Sequence, residues 1–219
     1  LRDKRCWQAF NMQATSLARR LKTLPQDKQK IVIGVSGGQD STLALLVATR
    51  AMDLLRLPRT NIIGLTMPGY GTTKRTQKNA TDLMKALGVT WHDISIKPIA
   101  DKIFKAIKHN MEIEDPTFEN VQAWSRKYLE LSMAAENGAM DLGTGDLSEG
   151  ALGWCTMFAD HSSHFNPNAG VPKTLVTYLI LWAADKIFEN EPKVQKTLRD
   201  IVDTPISPEL KRPGKDGQI

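Results

Sequence analysis

Six consecutive residues, Ser36-Gly37-Gly38-Gln39-Asp40-Ser41, have the composition of an anion-binding turn. Glycines let the backbone approach a phosphate closely and reach positive φ. The serines add hydroxyl donors. The free N–H groups of a following helix would carry the positive end of its dipole. Neither G-x-x-x-x-G-K-[ST] nor G-x-G-x-x-G is present. Where a P-loop carries its lysine, this turn carries Asp40. A carboxylate repels phosphate unless a cation bridges them, and Mg²⁺ held by one or two carboxylates and phosphate oxygens is the usual arrangement. The indicated chemistry is therefore that of a nucleotide with Mg²⁺. The competing reading is a strand-to-helix turn in which Asp40 or Ser41 caps the helix.

Other residues could serve the same chemistry. Glu149 is a second carboxylate for the cation held by Asp40, or a first-turn glutamate favoured by its helix dipole. Lys173 opens a helix behind Pro172, where a positive charge opposes the dipole. That local cost suggests another task, such as a β- or γ-phosphate contact, and the alternative is a snorkelling surface lysine. Thr144 follows a short strand and reads either as a ligand contact or as a cap.

These residues need elements to position them. Ile31-Val32-Ile33-Gly34-Val35 is apolar on both faces, as in a buried parallel strand. Further strands are expected at 61–66, 89–94 and 139–143. Helices are expected at 14–24, 41–56, 72–87 (closed by Gly88), 97–109, 117–137, 146–153, 173–188 and 192–202, with Pro172 in the first helical position of the seventh. The alternation predicts an α/β fold, with a parallel twisted sheet and helices on both faces. Ligands of such sheets bind at the carboxyl ends of the strands. The loops after Val35, Thr66, Ile94 and Gly143 are then the ones to inspect. The stretch 156–170 reads as a long loop and the tail from Thr204, with Pro205, Pro208 and Pro213, as extended.

Composition narrows the class. The 219 residues are 41% hydrophobic and 24% charged, which disfavours disorder. Two cysteines, Cys6 and Cys155, suit a reducing compartment. No apolar run reaches the roughly 18 residues of a membrane span, and the first residues lack a signal-peptide core. A cytoplasmic location is the expectation, without membrane partners. The net charge of +5 fits a polyanionic ligand, but no nucleic-acid motif accompanies it.

The turn S-G-G-x-D-S resembles that of the pyrophosphatase-loop enzymes, which adenylate a carboxylate or related oxygen with ATP. Further segments resemble one member family, NAD synthetase. They are Thr66-Met67-Pro68-Gly69-Tyr70-Gly71-Thr72-Thr73, Phe118-Glu119-Asn120-Val121-Gln122-Ala123 and Gly143-Thr144-Gly145-Asp146-Leu147-Ser148-Glu149. Ala151-Leu152-Gly153-Trp154-Cys155-Thr156 and Asn168-Ala169-Gly170-Val171-Pro172-Lys173-Thr174 complete the set. The wording is closest to the glutamine-dependent, two-domain form.

The resemblance implies an adenine nucleotide alpha-hydrolase-like, Rossmann-like fold. It implies a ligase that adenylates the carboxylate of deamido-NAD with ATP and Mg²⁺, after which ammonia displaces AMP. ATP contacts carried over are Gly34, Val35, Ser36, Gly37, Gly38, Gln39, Asp40, Ser41, Thr66, Thr144, Lys173 and, more loosely, Thr204. Deamido-NAD contacts are Asn120, Arg126, Glu149, Trp154, Cys155, Thr156 and Met157. Asp40 and Glu149 are the metal ligands, and Asp40 and Lys173 the catalytic pair. Cys155 reads as a pocket wall and not a nucleophile. His161 and His164 read as loop residues and not zinc ligands. Trp124 stands where many relatives carry an arginine, Gly150 where a bulkier residue is common, and Pro167 where relatives often have valine.

Residues 1–30 are then a helical lead-in, 31–210 the synthetase domain, and 211–219 a truncated tail. A glutaminase domain is expected on the same full-length chain. A homo-oligomer is implied, and the apolar segment 175–187, with Tyr178, Leu179 and Trp182, is its candidate face or else a core helix. The rival readings are another amidotransferase of this loop type, such as a GMP synthetase core, and a non-catalytic nucleotide-binding domain.

Overall fold

A computed structural model describes residues 2–205 and 210–212. The expected tail around Pro208 and Pro213 lies outside the described residues. Four short strands form a wholly parallel sheet: β1 (Ile31–Gly34), β2 (Ile62–Thr66), β3 (Thr90–Asp93) and β4 (Met140–Leu142). Their order is β3-β2-β1-β4, with Ile33 beside both Gly64 and Leu142. The chain builds outward from β1 to β3, then returns to the other side of β1 for β4. The crevice beyond β1 and β4 is thus the topological switch point, where open α/β sheets bind ligands.

The two-residue period of β1 explains both layers. Ile31 and Ile33 join one core with helices α1 (Arg2–Lys22), α2 (Gln39–Leu55), α3 (Lys74–Leu87), α7 (Lys173–Lys186) and α8 (Pro192–Val202). Val32 faces the opposite core with Ile63, Leu65, Met67 and Ala134, the last on α5 (Pro116–Asn137). Between α4 (Lys97–Ala106) and α5, Phe104 stacks on Phe118 at 5.6 Å. A short α6 (Leu147–Leu152) follows β4. No helix is long and apolar enough to cross a membrane among the described residues.

Most elements lie within a few residues of expectation, and Gly88 caps α3. Three differences matter. Helix α1 starts at Arg2 instead of Ala14. Cys6, Phe10, Gln13, Leu17 and Leu21 make one buried stripe, which the exposed Trp7 and Met12 obscure in the sequence. Helix α2 starts at Gln39 instead of Ser41, with Gly38 as its N-cap. The capping role considered for Asp40 or Ser41 is therefore overturned. Pro172 is the N-cap of α7 and not its first helical residue, because its ψ of 151° is extended. Within α7, Leu179 and Trp182 are buried in the chain's own core, while Tyr178 is exposed. The apolar side of α7 thus follows the core-helix alternative of the sequence.

Candidate active site

The turn after β1 is built around Gly37, whose φ is +85°. A side chain there would put its Cβ 2.1 Å from the carbonyl oxygen of Thr76, a backbone atom of α3 that cannot yield. Ser36 Oγ accepts from Gly38 N at 3.1 Å, and Ser41 Oγ donates to Gly38 O at 3.2 Å. These bonds hold the turn against the first turn of α2. Gly37→Ala is expected to lose about 2 kcal/mol or more through positive φ and collision, read as a lowered Tm.

Gly34 serves packing. A Cβ at this position would lie 1.9 Å from Glu130 Oε1 and 3.1 Å from Met67 Cε. Glu130 pairs with Lys127, whose ammonium also reaches Asp141 on β4 at 3.1 Å. This buried ion group supports the end of β1 from the α5 side.

Across the crevice, α6 begins with a reciprocal cap. Asp146 Oδ1 accepts from Glu149 N at 3.0 Å, and Glu149 Oε2 accepts from Asp146 N at 3.1 Å. One carboxylate oxygen each of Asp146, Glu149 and Asp40 lie within 4.8 Å of one another. Lys173 Nζ sits among them. It bonds to Asp40 Oδ2 and to Glu149 Oε1 at 3.2 Å, and stands 3.3 Å from Asp146 Oδ2. The last contact is an ion pair without a directed hydrogen bond, and Asp146 Oδ2 and Asp40 Oδ1 are buried without hydrogen-bond partners. Burial, then the charges of Glu149 and Asp146, push the Asp40 carboxyl up to about 6 against the opposing pull of Lys173. Burial also disfavours the Lys173 charge, but Asp40 and Glu149 outweigh it and hold the ammonium above the ordinary lysine range.

The structure thus brings together Asp40, Glu149 and Lys173, with Gly37, Gly38, Gln39, Ser36 and Ser41 forming the adjoining turn. Val35 continues β1 into it, donating to Leu65 O. Thr66 is buried at the end of β2, and its carbonyl accepts from Ile94 N. Thr144 lies at the crevice through its backbone, which accepts from Asn168 Nδ2 at 3.2 Å. Asn120 Oδ1 accepts from Thr156 Oγ1 at 3.1 Å, joining α5 to the long loop. Arg126 donates to Met67 O at 3.2 Å, so it anchors the loop after β2. Trp154 and Met157 are exposed and Cys155 half-buried. Trp124 Nε1 donates to Met157 O at 2.8 Å. Thr204 bridges the end of α8 to α3. Its hydroxyl donates to Asp200 O at 2.7 Å and accepts from Asn79. His164 Nδ1 accepts from Asp141 N and His161 Nδ1 meets Thr156 O, both loop-fixing roles.

Two residues escaped the sequence reading. Asp146 is the third carboxylate, and its spacing to Glu149, Asp-x-x-Glu, is a capping-box signal. Asn168 is fully buried. Its Nδ2 donates to Asp40 O at 2.9 Å as well as to Thr144 O, which ties the two crevice loops together. Gln13 of α1 in turn donates to Asn168 Oδ1 at 3.0 Å.

Comparison with known proteins identifies the family. Residues 11–203 match the sequence pattern of the family described as NAD synthase. This chain belongs to the NAD synthase family. It is 49% identical over 211 residues to the glutamine-dependent NAD(+) synthetase of Mycobacterium leprae, covering 94% of this chain and 30% of that protein. It is 32% identical to the NH(3)-dependent NAD(+) synthetase of Pelodictyon phaeoclathratiforme, over 67% of this chain and 50% of that one. A solved glutamine-dependent NAD+ synthetase from Acinetobacter baumannii, in complex with adenosine diphosphate, superposes with a TM-score of 0.78 at 23% identity, covering 92% of this chain and 36% of that chain. That likeness concerns the fold. The chain spans about three-tenths of the length of its mycobacterial relative.

Proposed function

We propose that this NAD synthase domain uses ATP to amidate the nicotinate carboxylate of deamido-NAD, forming NAD, AMP and pyrophosphate. The observation that carries the reading is the Asp40–Asp146–Glu149 carboxylate group with Lys173, facing a glycine turn at a helix start. A carboxylate does not itself accept ammonia, because oxide is a poor leaving group. Adenylation substitutes AMP as the leaving group.

The donors suit Mg²⁺, since they are hard oxygens and two of them are buried without hydrogen-bond partners. Asp40 and Glu149, with Asp146 beside them, would hold it. When bound, Mg²⁺ neutralises charge developing on transferred phosphate oxygens. The Gly37–Gly38 turn and the start of α2 orient the phosphates with N–H groups. Lys173 supplies a mobile positive charge to the leaving pyrophosphate. Asn120 and Thr156, with Trp154, Cys155, Met157 and Arg126, form the side assigned to deamido-NAD. Thr66 and Thr144 edge the nucleotide side.

Ammonia would come from glutamine on a glutaminase domain of the same full-length chain, a reading supported by the mycobacterial relative's name. A homo-oligomer fits the exposed Trp124, Tyr128 and Leu131 along α5. The unpaired Cys6 and Cys155 fit a cytoplasmic setting.

The test is an assay of ATP, Mg²⁺, deamido-NAD and ammonium that follows NAD and AMP. NAD formation with one AMP per turnover supports the reading. AMP release with xanthosine monophosphate alone would replace it with a GMP synthetase-type reading. ATP binding without AMP release would replace it with a non-catalytic nucleotide-binding domain.

A further inference from the structure

Resting on the proposed Mg²⁺ site, we infer that the Lys173 ammonium and the divalent cation are alternative occupants of one three-carboxylate cage. Lys173 must leave that cage for the nucleotide site to form. Nζ touches Asp40 and lies 3.2 Å from Glu149 and 3.3 Å from Asp146. It therefore stands among the oxygens that a small cation would bind. Two centres of positive charge cannot share that place: repulsion at such distances is several-fold stronger near a protein surface than in bulk water.

The lysine has somewhere to go. Its side chain is 41% exposed, and it emerges from the first turn of α7. The carboxylates are held where they are. Asp146 is locked in the α6 capping box, and its side chain is fully buried. Asp40 belongs to the first turn of α2, with its carbonyl held by Asn168. The cage is rigid and its lysine occupant movable. Asp146 is the member that commits the cage to a cation, because its Oδ2 is buried, lies 3.3 Å from Nζ and has no hydrogen-bond partner.

The exchange has a functional consequence. Lys173 neutralises the carboxylates in the nucleotide-free protein and thereby competes with free cation. ATP arriving with its cation gives Lys173 new anionic partners in the phosphates, so displacement and phosphate contact occur together. A cation alone offers no such partner and binds poorly. The domain thus selects the cation–nucleotide complex over the free ion.

Mn²⁺ serves as the probe, followed by electron paramagnetic resonance at pH 8 without nucleotide. Lys173→Met is expected to bind Mn²⁺ at least about tenfold more tightly than wild type, since one competing charge is gone. Asp146→Asn in the Lys173→Met background is expected to reverse most of that gain. Unchanged or weaker Mn²⁺ binding by a folded Lys173→Met protein would overturn the exchange. A wild-type measurement stands beside the variants. Acetic anhydride labelling of Lys173, quantified by mass spectrometry, is expected to speed up at saturating Mn²⁺, and an unchanged or slower rate counts against the proposal. None of these readouts uses deamido-NAD. A failed amidation assay with tighter Mn²⁺ binding would therefore remove the substrate reading and leave the exchange standing.

Discussion

Asp40→Asn is expected to lower NAD formation by about 10²–10³-fold at saturating ammonium, the range typical of losing one group that stabilises transition-state charge. Asp40 is in the first turn of α2, at the positive end of a helix, where its carboxylate meets Lys173. Asparagine keeps the shape and removes the charge that a phosphate-bridging cation requires. The fold is expected to persist, because Gly38 and not Asp40 caps α2. Circular dichroism checks that point, and steady-state kinetics against Mg²⁺–ATP check the rate. The same carboxyl gives a pH dependence. Its pKa is raised to about 6, chiefly by burial. As pH falls through that value in the nucleotide-free protein, Asp40 takes up a proton and cation affinity drops. Mn²⁺ titrations from pH 8 to pH 5 are expected to show this fall, and Asp40→Asn is expected to lack its Asp40 component. A wild-type rate in Asp40→Asn would remove the metal assignment.

The second large effect concerns stability and lies away from the crevice. Lys127→Ala is expected to destabilise the domain by about 3–5 kcal/mol, because breaking a buried ion pair leaves uncompensated charge. Lys127 is buried between Glu130 and Asp141, and Asp141 Oδ1 already lacks a hydrogen-bond partner. Burial first, and then the Asp141 charge, hold the Glu130 carboxyl above its ordinary range even with Lys127 beside it. A raised carboxyl pKa means that the folded state takes up its proton more readily than the unfolded state. The penalty of Lys127→Ala is therefore expected to shrink as pH is lowered, and to shrink also in Lys127→Ala/Glu130→Gln. Urea unfolding at two pH values measures both. A penalty that stays constant with pH would show that lost packing, and not stranded charge, is the cause. Because Glu130 Oε1 fills the place a Gly34 side chain would take, loss of this group also loosens the strand that feeds the glycine turn.

Much of the fold was legible in local pattern. The doubly apolar run Ile31–Val35 marks a buried central strand, and the helix-strand alternation marks a parallel sheet. Helix starts were less legible. The charged and exposed residues of α1 masked a buried stripe whose meaning depends on α2 and α7 lying against it. Helix α2 starts two residues before the expected Ser41 because Gly38, which has no side chain to signal a cap, is its N-cap.

The sequence by itself determined that a glycine-serine turn follows a buried strand, that Asp40 needs a cation if phosphate lies there, and that Lys173 sits against its helix dipole. Those are short-range facts, written within a few residues of one another. Only the tertiary structure decided that Lys173 meets Asp40 across 133 residues and Asn168 joins Asp40 to Thr144 across 128 and 24. It alone made Asp146 the third carboxylate, made Gly34 a space for Glu130, and turned α7 into a core helix. The reason is that a parallel sheet brings loops from distant strands to one edge, and strand order, which no local pattern encodes, chooses which loops meet.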